Sequence, residues 1–345
     1  MASVAAALDD LAFARRFASW LTAAHGVEVV VDEVEHPSVG YSSVTTMVRA
    51  RWDDDGHAEE ARLVVRMPPS PAGTFADYDL SVQHAAQLAA AAGGVPVAAP
   101  LQTEADPVWL GAPFTVMPRV AGHIIGEAHP FDPWLAGLGP VDQGKLHDHL
   151  LETLVAIHGA DTDQAVASGV PVRDDAAELA YWDDYLHWSA NGDPVPELVD
   201  ALAWCRGNAP RREPHLALRW GDVRLGNVVF GDDLRPRAIL DWDMTAIGAP
   251  EHDVAWFTML DFVISTFAGR RVEGFPGRDG LIARYEELAG RALLHLDWYE
   301  TFALVRSTSI LARIGYLTRS AGQTPTMPVE GSPLLDLLRE RTGGS

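Results

Sequence analysis

The chain has 345 residues, 48% hydrophobic and 21% charged, a composition typical of one large or two medium globular domains. Its formal net charge of −22 argues against a nucleic-acid partner, because such binding depends on Lys and Arg that neutralise phosphates. The single cysteine, Cys205, excludes an internal disulfide framework.

The N-terminus lacks a basic segment followed by an apolar core, and no apolar run reaches about 18 residues. The sequence therefore predicts a cytoplasmic protein without a membrane partner.

The first third of the chain predicts a helix followed by strands. Apolar residues at helical spacing predict a helix over Asp9 to Ala24, with Gly26 as its stop. Three β-rich runs follow, and they predict strands at Val27 to Val34, Val44 to Trp52 and Ala61 to Met67.

The residues Ser38 to Ser43 lie between the first two strands and include Gly40. A strand–glycine loop–strand unit can cover phosphates with backbone N–H groups, although an ordinary hairpin explains the same residues.

A second amphipathic helix is predicted from Thr74, which forms a capping-box-like pair with Asp77, to about Ala92. The run Gly111 to Gly122 then predicts a strand that enters a loop.

Helical spacing dominates the rest of the chain. Leu146, Leu150, Leu154 and Ile157 predict a helix that ends at His158, which is interpreted as a packed helix-end residue rather than a ligand. Further helices are predicted at Tyr181 to Trp188, Leu198 to Cys205, Asp253 to Thr266, Leu281 to Leu294, His295 to Tyr316 and Leu334 to Arg341. The Pro- and Gly-rich segment from Ser320 to Pro333 predicts a lid or loop.

The most informative stretch is a polar loop between two apolar runs. Asp222 and Asn227 lie between Leu216–Leu218 and Val228–Phe230, and Asp241 follows fourteen residues after Asn227, at the end of a further predicted strand. This order can bring one amide and two carboxylates into one pocket.

Phosphoryl transfer from a nucleotide needs such a set. A carboxylate orients the attacking hydroxyl, and hard oxygen ligands hold Mg²⁺ on the phosphates. The spacing Asp222-x-x-x-x-Asn227 followed by Asp241 is the order found in protein kinases. The alternative is a solvated acidic hairpin in an acidic protein.

The run LRWGDVRLGNVVFGDDLRPRAILDWDMTAIGAPEHDVAW resembles the aminoglycoside phosphotransferase-like (APH) family of small-molecule kinases. It is most similar to the branch with kinase domains associated with acyl-CoA dehydrogenases and to actinobacterial proteins of the aminoglycoside phosphotransferase type. The resemblance implies a bilobal, protein-kinase-like α/β (α+β) fold, with a small antiparallel β lobe and a larger, mainly α-helical lobe.

The resemblance also implies roles for the motif residues. Asp222 would be the catalytic base, Asn227 and Asp241 would be Mg²⁺ ligands, and Asp243 would assist the metal through water. Asp253 matches an acidic residue that braces the catalytic loop. Trp220 stands where the family has a His that is generally structural, so the exchange affects the packing of the loop more than its chemistry.

In the N-terminal lobe, Gly40, Ser42 and Ser43 are predicted to contact the phosphates. The kinase phosphate-binding Lys is replaced by Arg66, since the only lysine is Lys145 in a different predicted helix. Arg66 is predicted to bind the phosphates, with a surface arginine as the alternative.

No Glu occurs between Thr74 and Ala92 to pair with that cation. Gln83 is predicted as the substitute acceptor, and His84 is the competing candidate.

The run from Gly111 to Gly122 resembles the family's interlobe hinge. The resemblance implies a hinge at residues 118–122, where the Pro118 C=O and the Val120 N–H would hold adenine. Proline lacks an N–H but can still accept a hydrogen bond. The resulting division is a nucleotide-binding lobe at 1–117 and a catalytic and substrate-binding lobe at 123–345, in which the helices from Leu281 to Tyr316 would form the substrate wall.

The expected activity is ATP- and Mg²⁺-dependent phosphorylation of a small-molecule hydroxyl. The acceptor is open between an aminoglycoside-like and a hydroxyacyl or sugar-type compound. The alternative function is that of a catalytically silent nucleotide-binding protein. The sequence does not predict the oligomeric state.

Overall fold

The structure is a computed structural model that describes residues 9–36, 43–69, 73–99, 102–191, 194–211, 215–325 and 328–343. The chain divides into two compact units. The first comprises Met1–His84 and Ala98–Arg119, and the second comprises Ala85–Val97 and Val120–Ser345.

The first unit contains an antiparallel five-stranded sheet. Its strands are β1 (Val29–Glu35), β2 (Val44–Asp54), β3 (His57–Met67), β4 (Gln102–Glu104) and β5 (Phe114–Pro118), in the order β1-β2-β3-β5-β4. β2 and β3 form a tight hairpin, because Asp55 and Gly56 both adopt positive φ, as a two-residue turn requires. β3 begins at His57 rather than at the predicted Ala61, since the pairing extends to the exposed, polar end of the hairpin.

Helix α1 (Asp10–His25) packs on this sheet. Asp9 caps its N-terminus by accepting a 2.7 Å hydrogen bond from the Ala12 N–H, and Gly26 ends it in the left-handed conformation that the sequence indicates. The buried aromatic face of α1 meets the sheet where Trp20 contacts Phe114 edge to face, with ring centroids 4.9 Å apart.

Helix α2 runs from Leu80 to Ala92. The predicted start at Thr74, with Asp77 as its capping partner, is wrong. Asp79 is the residue that accepts backbone N–H groups of the first turn, from Ser81 at 2.8 Å and Val82 at 3.3 Å. A cap six residues before the first helical turn cannot satisfy its N–H groups, so the capping-box spacing was misleading.

The second unit is mainly helical. Its helices are α3 (Pro133–Gly137), α4 (Pro140–His158), α5 (Thr162–Ala167), α6 (Asp175–Ser189), α7 (Pro196–Gly207), α8 (Glu251–Ala268), α9 (Arg278–Ala289), α10 (Leu296–Ser320) and α11 (Pro333–Thr342). No helix within the described residues is long and apolar enough to cross a bilayer.

Helix α9 ends five residues before the predicted Leu294, because Gly290 adopts the left-handed conformation with φ 64°. The cysteine Cys205 is fully buried in α7, where its carbonyl oxygen accepts a 2.9 Å hydrogen bond from the Trp298 indole.

Short strands lie among these helices. They are β6 (His123–Ile124), β7 (Ala217–Arg219), β8 (Val228–Phe230), β9 (Pro236–Ile239) and β10 (Ala246–Gly248). β6, β8 and β9 form one antiparallel sheet, while β7 pairs with β10 in another. The loop between β7 and β8 therefore joins two sheets, and it carries Asp222.

Candidate functional site in the helical unit

The conformation of Gly221 places Asp222 at the start of the β7–β8 loop. Gly221 has φ 98°, and a Cβ atom there would lie 2.5 Å from the Met244 carbonyl oxygen. Both the positive φ and the close approach exclude larger residues. The glycine therefore fixes the direction in which the chain presents Asp222.

Three side chains hold the carboxylate of Asp222. Its Oδ2 accepts from the Asn227 amide at 2.7 Å and from Arg224 Nε at 2.9 Å, while its Oδ1 accepts from the Trp256 indole at 2.9 Å. The Asn227 amide also donates to the Asp222 carbonyl oxygen at 3.1 Å. These bonds orient the carboxylate on both of its oxygens.

Burial raises the pKa of the Asp222 carboxyl group, and the negative charge of Asp241 acts in the same direction. The positive charge of Arg224 and the hydrogen bonds from Trp256 and Asn227 lower it, but the net shift is upward. A raised pKa makes Asp222 a better proton acceptor than an ordinary surface carboxylate.

Asp241 is brought beside this pair by the β8–β9 hairpin. Val228 pairs with Ile239, and the Leu240 N–H donates to the Asn227 carbonyl oxygen at 2.8 Å. Asp241 itself has φ 57°, which turns the chain out of the strand. Asp222, Asn227 and Asp241 thus lie in one small region of the unit. Asp243 follows two residues later and is half-buried.

Asp253 on α8 braces the β7–β8 loop, as the resemblance implies. Its carboxylate accepts the backbone N–H groups of Trp220 at 2.7 Å and Gly221 at 3.0 Å. His158, at the end of α4, contacts the same carboxylate at 3.1 Å through Nε2. His158 is therefore a packed helix-end residue, as predicted, and also a partner of the brace.

Trp220 is fully buried, and its indole N–H lies 2.8 Å from the Leu240 carbonyl oxygen and 3.1 Å from that of Asp241. The indole ties the loop to the strand that carries Asp241. Replacement of the family's His by Trp thus leaves the loop packed.

A buried ion network supports the strand that leads into the loop. Arg219 of β7 donates to Glu178 of α6 at 2.7 Å, and both side chains are almost fully buried. Although burial opposes ionisation of Glu178, the charges of Arg219 and Arg306 hold its pKa well below the ordinary value. The network joins α6, β7 and α10, because Arg306 of α10 also lies 3.9 Å from Glu178.

Three contacts at the site were not predicted from the sequence. Arg224 lies two residues after Asp222 and also forms an ion pair with Glu127. Trp256 lies three residues after Asp253, so both project from neighbouring positions of α8. The spacing within the motif and within the helix could have indicated Arg224 and Trp256, whereas nothing in the sequence links Glu127 to them.

The first unit contains a separate polar cluster around Arg66. Its Nε and Nη2 lie 3.2 and 3.1 Å from Ser43 Oγ, and its Nη1 donates to Gln83 Oε1 at 3.4 Å. The contact that was predicted between Arg66 and Gln83 is present, while His84 bonds to Thr103 at 3.0 Å.

Of the other predicted nucleotide contacts, Gly40 and Ser42 lie outside the described residues. Pro118 is the last residue of β5, in the first unit. The first unit ends at Arg119, and the second unit resumes at Val120. Their adenine-binding roles stay predictions.

Across the described part of the chain, no group of three or more His, Cys, Asp or Glu side chains is placed to hold a metal ion. Mg²⁺ does not need one, because it usually binds through one or two carboxylates, substrate phosphates and water. The carboxylate of Asp241 and the amide of Asn227 supply hard oxygen donors of this kind.

The sequence profile of the phosphotransferase enzyme family matches residues 33–293, more than half of the chain. Acyl-CoA dehydrogenase family member 11 of Homo sapiens is 27% identical over 61% of this chain and 27% of its own length. Family member 10 of Mus musculus is 26% identical over 64% of this chain and 20% of its own length. The chain thus matches about a quarter or less of these relatives.

Among solved structures, one from Ralstonia eutropha, described as a "putative aminoglycoside phosphotransferase", has a TM-score of 0.71 and 20% identity, and covers 95% of this chain and 98% of that one. Aminoglycoside phosphotransferase APH(4)-Ia, in a ternary complex with AMP-PNP and hygromycin B, has a TM-score of 0.60 and 16% identity, covering 95% of this chain and 99% of that one. These similarities confirm the predicted kinase-like fold.

Proposed function

Since the chain belongs to the phosphotransferase enzyme family, we propose that it transfers the γ-phosphoryl group of ATP to a hydroxyl group of a small molecule. The observation that carries this proposal is the convergence of Asp222, Asn227 and Asp241. Asp222 and Asn227 are joined by a 2.7 Å hydrogen bond, and the charge of Asp241 acts on Asp222.

Asp222 is the proposed base. Phosphoryl transfer requires little covalent work from the protein beyond positioning the attacking hydroxyl and stabilising charge. A carboxylate held on both oxygens, with a raised pKa, suits the first task because it can orient the hydroxyl and accept its proton.

Asn227 and Asp241 are the proposed Mg²⁺ ligands. The amide nitrogen of Asn227 is directed at Asp222, which turns the amide oxygen away from that carboxylate and towards a role as metal ligand. These two residues would hold Mg²⁺, and the charge of the ion would offset that of the phosphates. Asp243 is proposed to act on the metal through water.

Arg66, supported by Gln83 and Ser43, is the proposed phosphate ligand of the first unit. A guanidinium group suits this role because its planar fork matches two oxygens of a phosphate. Gly40 and Ser42 are proposed to add donors to the phosphates, and backbone groups of Pro118 and Val120 to hold adenine.

Two classes of acceptor fit this proposal, an aminoglycoside-like compound and a hydroxyacyl or sugar-type compound. Solved relatives are complexes with kanamycin or hygromycin B, and they carry GDP or AMP-PNP. Nucleotide preference therefore belongs in the same experiment as the acceptor screen.

The test is a screen of hydroxyl compounds with ATP or GTP and Mg²⁺, repeated with Asp222→Asn. We expect the substitution to lower kcat by about 10²–10⁴-fold, the usual contribution of a general base. Asp232→Asn is the matched control, because Asp232 is an exposed carboxylate in the β8–β9 turn. Equal turnover by wild type and Asp222→Asn would remove Asp222 from the mechanism.

The alternative is a silent nucleotide-binding protein. It predicts that ATP with Mg²⁺ raises Tm while the wild-type chain phosphorylates no compound in the screen. Phosphoryl transfer by wild type and Asp232→Asn that is lost in Asp222→Asn would exclude this alternative.

A further inference from the structure

A cavity of about 540 Å³ lies in the helical unit among α8, α9, α10, α11 and the segment that follows α8. Asp222, Asn227 and Asp241 do not line it. Trp256, which contacts Asp222, and Ser265, which lines the cavity, are nine positions apart on α8. Nine residues make about two and a half helical turns, so the two side chains leave the helix on opposite faces, about 13 Å apart along its axis.

The wall of the cavity combines apolar and cationic side chains. Met259 and Leu281 are buried, and the ring of Phe262, half-exposed, stands at the cavity. Charged lining residues comprise four arginines and two carboxylates, namely Arg270, Arg271, Arg278, Arg341, Asp261 and Glu300. Positive charge therefore exceeds negative charge among the lining residues themselves, although the whole chain has a net charge of −22 and Arg278 also faces Asp279 and Asp297 outside the lining.

The arginines are neutralised to different degrees. Arg271 pairs with Asp261 at 2.9 Å, and Arg278 pairs with Glu300 at 2.6 Å and also with exposed Asp297 and Asp279. Arg341 reaches Glu300 only at 3.5 Å.

Arg270 has no carboxylate partner within the part of the chain that the structure describes, and its guanidinium lies 5.4 Å from the centre of the Phe131 ring. Arg270 and Arg341 therefore have the most capacity for an external anion.

Ser265 gives an independent indication of a ligand. Its side chain is 6% exposed and lines the cavity, and its Oγ has no hydrogen-bond partner among the described residues. A buried hydroxyl group without a partner costs free energy that a ligand oxygen can offset. The volume lies within the range of small-molecule sites, about 300–1,000 Å³.

We propose that this cavity binds a small amphipathic anion, an apolar body with one carboxylate or phosphate monoester group. The apolar body contacts Met259, Phe262 and Leu281, the acidic group lies between Arg270 and Arg341, and an oxygen of the ligand bonds to Ser265. The site does not depend on the proposed phosphoryl transfer.

The experiment is calorimetric titration of the full chain with octanoate and octyl phosphate, which present the two acidic groups on one apolar body. Octan-1-ol provides the body without charge, and inorganic phosphate provides the charge without the body. We expect saturable 1:1 binding of at least one octyl anion, with octan-1-ol and phosphate binding at least about tenfold more weakly. The better of the two octyl anions identifies the acidic group.

The double variant Arg270→Gln/Arg341→Gln should weaken the octyl anion by about tenfold or more, without changing the weak binding of octan-1-ol. Arg339→Gln is the matched control. Arg339 lies on α11, as Arg341 does, but it pairs with Glu197 and Asp336 and does not line the cavity. The far-ultraviolet circular dichroism of each variant checks that it is folded.

If neither octyl anion binds saturably, or if the double variant binds as tightly as Arg339→Gln, the proposal is wrong. A failure of the acceptor screen leaves this result unaffected, since the titration contains no nucleotide.

Discussion

The substitution Asp253→Asn tests whether the catalytic loop depends on a charged brace. The carboxylate accepts N–H groups from Trp220 at 2.7 Å and Gly221 at 3.0 Å, and it contacts His158 at 3.1 Å. Asparagine keeps one of the two oxygens and places an NH₂ group where the other oxygen accepted. At least one buried backbone donor then faces another donor.

The expected cost follows from these contacts. A hydrogen bond to a charged group contributes about 1.5–3 kcal/mol, and removal of one partner from a buried charged cluster typically costs about 3–5 kcal/mol. Since folded domains are stable by only about 5–15 kcal/mol, the loss should be large. Urea unfolding at neutral pH measures it, with Asp163→Asn, at an exposed position of α5, as the control.

The pH dependence gives a second readout. Although burial opposes ionisation, the hydrogen bonds from His158 and the Trp220 N–H and the charge of Arg219 hold the pKa of Asp253 below its ordinary value. The stabilisation is therefore fully present above the unfolded-state pKa of about 3.9 and is lost as the pH falls through the lower folded-state pKa. An unfolding free energy of Asp253→Asn within about 1 kcal/mol of wild type at pH 7 would refute the reasoning.

Two further substitutions probe buried ionisable groups by the same unfolding measurement. Glu178→Gln leaves Arg219 buried without its anion and should cost about 3 kcal/mol or more; a loss below about 1 kcal/mol would contradict this. Burial lowers the pKa of His147, stacked on Phe257, from 6.5 to about 4, so the unfolded chain takes up this proton at higher pH. As the pH falls from 6.5 to 4, the free energy of unfolding of wild type should fall by about 3 kcal/mol more than that of His147→Phe. Equal falls would mean that His147 has the same pKa in the folded and unfolded chain and would contradict this prediction.

Local chemistry made parts of this structure predictable. Asp9 and Gly26 mark the two ends of α1 in the sequence because a cap and a left-handed stop depend only on neighbouring residues. The loop from Asp222 to Asn227 is a similar case, because its short separation allows both side chains to lie close together, and they are joined by a 2.7 Å hydrogen bond.

Other features depend on contacts between distant segments. Thr74 and Asp77 have the right spacing for a cap, but the chain starts α2 at Leu80. His158 meets Asp253 across 95 residues, and no local pattern encodes that contact.

The Arg66–Gln83 contact lies between these cases. It was predicted because the resemblance implies a cation on β3 paired with an acceptor on the helix, and the chain offers Arg66 for the first role and Gln83 or His84 for the second.

The burial of Cys205 makes the wild-type chain a convenient background for site-specific labelling. Burial raises the pKa of its thiol to about 12, so the reactive thiolate is scarce at neutral pH. A cysteine introduced at an exposed position would therefore react with a maleimide dye or spin label long before the native one. Fluorescence or electron-resonance probes can be attached without first removing Cys205, whose carbonyl group anchors the indole of Trp298.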